Sequence, residues 1–198
     1  MFRELLEERT AGLIHLSNEQ FRSLETHYAQ LKRWNAVLNL TSVRTVKEAV
    51  DRHYFESLFL AAHLPPGPLR VVDIGSGAGF PGVPVAVLRP ECTVTLVESH
   101  RRKAVFLRDV TRSMDNVIVL PKRAEEIQEC FDHAVSRAVA YRDLLPVLKQ
   151  IAKNADLLTG AEVPPDELGF MWKRVLQVPT GHSRFLRSGV SRGTDGFT

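Results

Sequence analysis

Hydrophobic positions in the first 64 residues recur at intervals of three and four, the period of a helix with one buried face. Phe21, Leu24, Tyr28 and Leu31, then Val37 and Leu38, form one stripe. It opens behind Ser17, with Gln20 three residues on, a capping box in which each side chain satisfies the other's backbone amide. Thr45 and Glu48 repeat that signature and introduce Val46, Ala49, Val50, Tyr54, Leu58, Ala61 and Leu64 on a second stripe. Residues 1–64 therefore read as helices without a strand.

Pro65-Pro66-Gly67-Pro68 then breaks the chain, because neither residue type continues a helix. Beyond it, short apolar runs alternate with helical patterns. Strands are expected over Leu69–Ile74, Thr93–Val97, Val117–Leu120, Ala134–Val139 and Ala155–Thr159. Helices are expected up to Leu88, over Arg101–Met114 with Phe106, Leu107, Val110 and Met114 inward, and over Tyr141–Asn154 despite Pro146. Ala124–Glu129 has room for a turn or two of helix. Asp166–Leu176 reads as a last helix and Phe185–Val190 as a last strand. The alternation predicts βαβ units and a mostly parallel, Rossmann-like sheet covered on both faces. The expected division is a helical N-terminal extension, 1–64, on an α/β domain, 69–198.

Composition narrows this little. A chain of 198 residues, 44% hydrophobic and 25% charged, can bury one sizeable core with an appendage. Cys92 and Cys130 match neither a disulfide framework nor a Cys-x-x-Cys metal site, so no metal and a reducing compartment are expected. Met1-Phe2-Arg3-Glu4 lacks the apolar run of a signal peptide, and no stretch approaches the roughly 20 apolar residues of a membrane span. The expectation is a cytoplasmic, monomeric protein without membrane contact. A net charge of +3 and a pI of 9.0 do not by themselves identify a polyanion binder. Their distribution says more, with Arg101, Arg102, Lys103, Arg108 and Arg112 on one segment and Lys173, Arg174, Arg184, Arg187 and Arg192 towards the C-terminus. A solvated face and a nucleic-acid contact both fit such runs.

The strongest local signal is Asp73-Ile74-Gly75-Ser76-Gly77-Ala78-Gly79-Phe80-Pro81-Gly82, where an apolar strand enters alternating glycines and then a helix. Such a loop turns sharply, lets a ligand approach the backbone, and offers free N–H groups at the helix start. Gly77, Gly79 and Gly82 also satisfy the G-x-G-x-x-G dinucleotide pattern, with Glu98 as the ribose acceptor, so a nicotinamide-dependent oxidoreductase must be weighed. Two features oppose it. The turn begins at Gly75, which puts Phe80 where the in-register pattern wants glycine, and Pro81 lacks the amide a pyrophosphate would use. Asp73 instead suits a cofactor with an ammonium and no phosphate, such as S-adenosylmethionine. A purely structural glycine turn is the remaining reading.

Ala124-Glu125 follow the third strand, where such a fold places an adenine, although Glu125 also reads as an exposed carboxylate in a first helical turn. Arg137 lies in an otherwise apolar strand, so it is paired or sits at the sheet's carboxyl edge, within reach of cofactor, base or phosphate. The position after the fourth strand reads Ser136-Arg137-Ala138-Val139, not the Asn/Asp-Pro-Pro-aromatic motif common in amino-group methyltransferases. Neither cysteine has the proline-flanked setting of a carbon-5 pyrimidine nucleophile. His53, His63 and His133 show no triad or metal spacing, and packing or surface roles are expected for them.

These residues together give the chain its resemblance to the ribosomal RNA small subunit methyltransferase G family. It resembles that family over residues 10–160, through Lys32-Arg33-Trp34-Asn35, Asn39-Leu40-Thr41-Ser42-Val43-Arg44, Arg52-His53, Glu56-Ser57, the 73–82 loop, Arg89-Pro90, Glu98-Ser99, Lys103, Phe106-Leu107, Ala124-Glu125 and Ser136-Arg137-Ala138. The resemblance implies a class I S-adenosylmethionine-dependent methyltransferase fold and transfer of a methyl group to N7 of a guanine in small-subunit rRNA, free or in the 30S particle. Cofactor contacts would fall at Gly75, Phe80, Glu98, Ala124, Glu125 and Arg137, beside Asp73, Gly77 and Gly79 from the loop reading. Arg137 would be the residue that positions the reaction. The basic helix 101–112 and the tail are candidate RNA contacts. The chain departs from the family pattern at Glu56, where Asp is usual, and at Leu158-Thr159-Gly160, where Lys-Gly is usual. A non-catalytic RNA-binding protein and a small-molecule methyltransferase remain the other readings.

Overall fold

The structure, a computed structural model, describes residues 1–137, 140–164, 169–180 and 183–192. Helix α1 (Phe2–Thr10) leads to α2 (Asn18–Leu38), and the Ser17–Gln20 capping box forms, with Gln20 N donating to Ser17 Oγ at 3.2 Å and Ser17 N to Gln20 Oε1 at 2.8 Å. Phe21, Leu24 and Leu31 are buried as their spacing predicts, whereas Val37 is 77% exposed. It lies in the last turn before Asn39, whose left-handed backbone (φ 47°) ends the helix. The second capping box opens α3 (Val46–Ala49), which continues through a π-helical turn (Val50–Phe55) into α4 (Glu56–His63). One wide turn shifts the helical phase by about a residue. From the end of that turn onward, Tyr54 through Ala61 are all buried, polar Glu56 and Ser57 included.

After the proline break come β1 (Arg70–Ile74), α5 (Gly82–Leu88), β2 (Thr93–Val97), α6 (Arg101–Val110), β3 (Val117–Leu120) and a 3-10 turn (Ala124–Glu126). Then follow β4 (Phe131–Arg137), α7 (Tyr141–Ile151), β5 (Ala152–Thr159), β6 (Phe170–Gln177) and β7 (Phe185–Ser191). The sheet order is β3-β2-β1-β4-β5-β7-β6. Strands β1 to β5 run parallel, and β7 is antiparallel to both β5 and β6. The mostly parallel α/β sheet expected from the sequence is therefore present.

Several of its boundaries differ, most by one to three residues. Strand β4 starts three residues early, at Phe131, and α7 ends at Ile151, because Ala152 and Asn154 pair with Phe131 and His133 across the β4–β5 ladder. Helix α6 stops at Val110, and Met114 packs from the turn beyond it. The expected helix over Asp166–Leu176 is overturned for its described part, since Phe170–Gln177 is the edge strand β6. That strand takes its hydrogen bonds from β7, a pairing invisible to local periodicity. The ends of two expected elements, Ala138-Val139 and Asp166–Leu168, lie outside the described residues.

Alternation along β1 divides the core. Val71 faces a cluster shared with α1 to α6, and Val72 faces a second cluster built on α7. The N-terminal helices thus cover one face of the sheet. No helix among the described residues is long and apolar enough to cross a membrane.

Candidate active site

The β2-β1-β4 register sets Ile74 beside Val97 and Ser136, so the residues following these strands meet at one edge. Leu120 of β3 pairs Val97 on the far side. Along this edge the order is therefore Ala124-Glu125, Glu98, the glycine loop and Arg137. In open parallel sheets this carboxyl edge is where ligands bind.

The loop is held by packing. A Cβ on Gly82 would stand 2.2 Å from Leu96 Cδ2 and 2.6 Å from Asp73 Oδ2, and one on Gly79 (φ +89°) 2.7 Å from a Val83 methyl. Gly75 and Gly77 also take positive φ, which lets the backbone reverse twice. Asp73 is fully buried and accepts from Gly82 N at Oδ2, 2.9 Å away, so one carboxylate ties both ends of the loop. Burial pushes it up to about 7, partly offset by that amide. Its Oδ1 has no partner among the described residues. The bond also explains why the dinucleotide pattern misleads here, because the Gly82 amide is already committed to a carboxylate. Glu98 lies under the same loop, Oε2 accepting from Gly77 N at 2.9 Å and Oε1 from His100 N at 2.8 Å.

The Phe80 ring points away from this edge. It is buried against the N-terminal helices, stacked on His53 (4.7 Å between centroids) and edge-on to Tyr54 and His27, so it offers the edge only its backbone. His27, which the sequence reading did not single out, binds the loop directly through Nε2, 3.1 Å from the Ala78 carbonyl. A carbonyl only accepts, so Nε2 carries the proton and Nδ1 accepts from the Tyr54 hydroxyl at 2.7 Å. Burial holds His27 down at about 4, which keeps it neutral.

Arg137 ends β4 nearly buried, its Nη1 2.6 Å from His53 Nδ1 and its Nε 3.7 Å from Glu56 Oε2. Arg184 reaches Glu56 Oε1 at 3.4 Å from the far side. Burial raises Glu56, and the two arginines oppose that shift. Burial lowers Arg137 to about 10, so it stays charged at neutral pH. The expectation of a mere packing or surface role for His53 is thus corrected: it joins Arg137 to Thr41, whose Oγ1 is 2.6 Å from Nε2. His133 lies away from this edge, within β4, with its Nδ1 2.7 Å from Asp156 Oδ2. Thr159 Oγ1 accepts from Arg187 Nε at 3.1 Å, so a guanidinium from β7 lies beside the end of β5.

Ala124 packs on the α7 cluster and Glu125 is exposed. Arg101, Arg102, Arg108 and Arg112 are exposed and Lys103 half-buried. Trp34 Nε1 donates to Asp109 at 3.1 Å and so joins this basic helix to α2. Two cavities flank the arginine cluster. One, about 690 Å³, is lined by α2, the 39–45 loop and His53, and the other, about 570 Å³, by Tyr141, Thr159 and Arg184. No cluster of metal-ligating side chains occurs among the described residues.

The profile of rRNA small subunit methyltransferase G matches residues 20–158. The chain belongs to that family. The family's ribosomal RNA small subunit methyltransferase G of Roseiflexus castenholzii is 41% identical over 145 residues, covering 69% of this chain and 62% of that protein. This chain accordingly spans less than two thirds of that curated relative's length. Among solved structures, a SAM-dependent methyltransferase from Aquifex aeolicus superposes with a TM-score of 0.58 over 82% of this chain and 97% of its own, at 15% identity. Aeropyrum pernix fibrillarin with bound S-adenosyl-L-methionine gives 0.57 over 71% and 75%, at 13% identity. These likenesses establish the class I methyltransferase fold.

Proposed function

We propose that this chain transfers a methyl group from S-adenosylmethionine to N7 of a guanine in small-subunit rRNA, free or within the 30S particle. The observation that carries this reading is the pair of carboxylates flanking the glycine loop, with Asp73 Oδ1 buried and unpartnered and Glu98 beneath Gly77. Two carboxylates would repel a pyrophosphate, whereas a ligand bearing an ammonium and a ribose diol satisfies both. Family membership points the same way. The cofactor would be held by Asp73, Gly75, Gly77, Gly79, the Phe80 backbone, Glu98, Ala124, Glu125 and Arg137. Arg101, Arg102, Lys103, Arg108 and Arg112 would meet RNA phosphates.

When bound, the cofactor supplies an electrophilic methyl group. The chain's part is placement. The packed loop would hold the ligand without rearrangement, and Arg137, fixed by His53 and Glu56, would offer it a rigid donor. Guanine N7 has a free lone pair, so no proton need be removed, and alignment with exclusion of water supplies the rate. Both buried histidines are neutral and serve as fixed dipoles, not as bases.

Incubation with tritiated S-adenosylmethionine and unmethylated small-subunit rRNA or particles, followed by nuclease mapping, tests the proposal. Label confined to N7 of one guanine is expected. Label on another atom, or binding of the cofactor with no label in either RNA, would overturn it.

A further inference from the structure

The hydrogen bonds at the arginine end have a direction fixed by chemistry. A guanidinium only donates, so His53 Nδ1 is an acceptor and the ring's single proton lies on Nε2. Burial, with the Arg137 charge adding to it, holds His53 down at about 3, so the ring does not gain a second proton near neutrality. Nε2 therefore donates to Thr41 Oγ1. Thr41 Oγ1 also accepts from the Val43 amide at 3.1 Å. Both lone pairs are spent, and the hydroxyl proton has no acceptor among the described residues. The Thr41 backbone is itself held, its N–H donating to Asn35 Oδ1 at 2.8 Å.

This unspent donor stands on the wall of the 690 Å³ cavity, a volume in the range of small-ligand sites. The lining includes Lys32 and Arg44 but no carboxylate, and the Tyr28 ring there is already stacked on Phe2 (4.6 Å between centroids) with the Lys32 ammonium over it at 5.8 Å. Cations, amides and hydroxyls without an acidic group suit a nucleotide.

We propose that this cleft receives the acceptor base, flipped out of its RNA, and that Thr41 reads it by donating to the base's carbonyl oxygen. The inference deepens the guanine-N7 reading above and rests on it. On the edge that carries N7, guanine presents O6, an acceptor, where adenine presents an amino donor. A donor whose polarity is fixed accepts the first and meets the second with two opposed donors, each unpaired. Thr41 is thus a specificity residue, and Arg137 and His53 position it by leaving its hydroxyl no other role.

The test uses RNAs whose target guanine is replaced by 2-aminopurine, which lacks O6, or by hypoxanthine, which keeps it. Wild type, Thr41→Val and Thr41→Ser are compared for kcat/KM and for RNA affinity with S-adenosylhomocysteine bound. Wild type is expected to lose about 10- to 100-fold in kcat/KM on 2-aminopurine and little on hypoxanthine. Thr41→Val should lose a similar factor on guanine and little more on 2-aminopurine, while Thr41→Ser restores the discrimination. A wild-type enzyme indifferent to O6 overturns the inference without any variant, as do losses that simply multiply in the valine variant. Transfer to guanine with either result leaves the methyltransferase reading standing. No transfer to guanine by the wild type overturns that reading and this one with it.

Discussion

The two ends of the site are built from opposite materials. The glycine end is steric: Gly82 has no room for a methyl group, and the loop is wedged between Leu96 and the ring cluster of His27, Tyr54 and Phe80. The arginine end is electrostatic, a buried Glu56 between two guanidiniums at 3.4 and 3.7 Å with a neutral histidine relay beside it. Packing gives a fixed shape, with one buried carboxylate, Asp73, as its charge cost, visible in its rise to about 7. Buried ions give direction and sign, at a desolvation cost visible in the raised Glu56 and lowered Arg137. The glycine end is therefore expected to fail by unfolding, and the arginine end by losing activity in a folded protein.

That contrast can be broken most sharply at Gly82. Gly82→Ala must displace Leu96 or Asp73, and a loss of about 3 kcal/mol or more is expected in urea denaturation. A loss below about 1 kcal/mol would show that the loop is not sterically fixed. At the other end, Arg137→Ala should lower methyl transfer about 100-fold or more while circular dichroism stays native. Arg137→Lys should recover little, since one ammonium cannot serve both His53 and Glu56. Near wild-type transfer in either variant would remove Arg137 from the site.

A smaller effect separates the ends by pH. Asp73 is raised to about 7 from 3.8, so the folded state binds the extra proton between those values and its contribution to stability falls as pH rises through them. His27 and His53, lowered to about 4 and 3, contribute with the opposite sign, and their stability is lost as pH falls below their usual 6.5. The wild-type profile mixes both, but Asp73→Asn removes only the first. Its stability relative to wild type should rise between pH 4 and 7 by up to about 1.4 kcal/mol per pH unit. A difference flat with pH would place a charged Asp73 in the folded protein throughout. Smallest of all, Arg101→Ala or Arg108→Ala, by taking one cation away from the RNA phosphates, should flatten the salt dependence of RNA affinity by roughly 0.7 to 0.9 in log–log slope. An unchanged slope would return α6 to the role of a solvated face.

Most of the frame was legible because its signals are local. Strands β2 and β3 span the apolar runs at Thr93–Val97 and Val117–Leu120, both capping boxes form, and the glycines sit in their turn. Arg137 stood out as a charge in an apolar strand. What was not legible is what the chain assembles across distance. The ends of β4 and β5 depend on each other, and β6 exists only against β7. His27 and His53 fall on apolar helix stripes, where spacing marks them as filler; their bonds to Ala78, Thr41 and Arg137 arise only when the helices dock. Glu56 falls off the apolar stripe of its helix, so nothing in the spacing showed that its carboxylate would be buried and need cations from elsewhere.

Strand β6 carries a consequence of another kind. It is an outer strand of the sheet, with Met171 and Val175 exposed, and such an edge is a template for pairing with a second chain. The register slips between Trp172 and Arg174, and Lys173 and Arg174 are exposed there. A bulge and a pair of cations are the devices that keep open edges from aggregating. Lys173 and Arg174, two of the basic residues that first suggested a polyanion contact at this end of the chain, thus stand where they oppose such pairing.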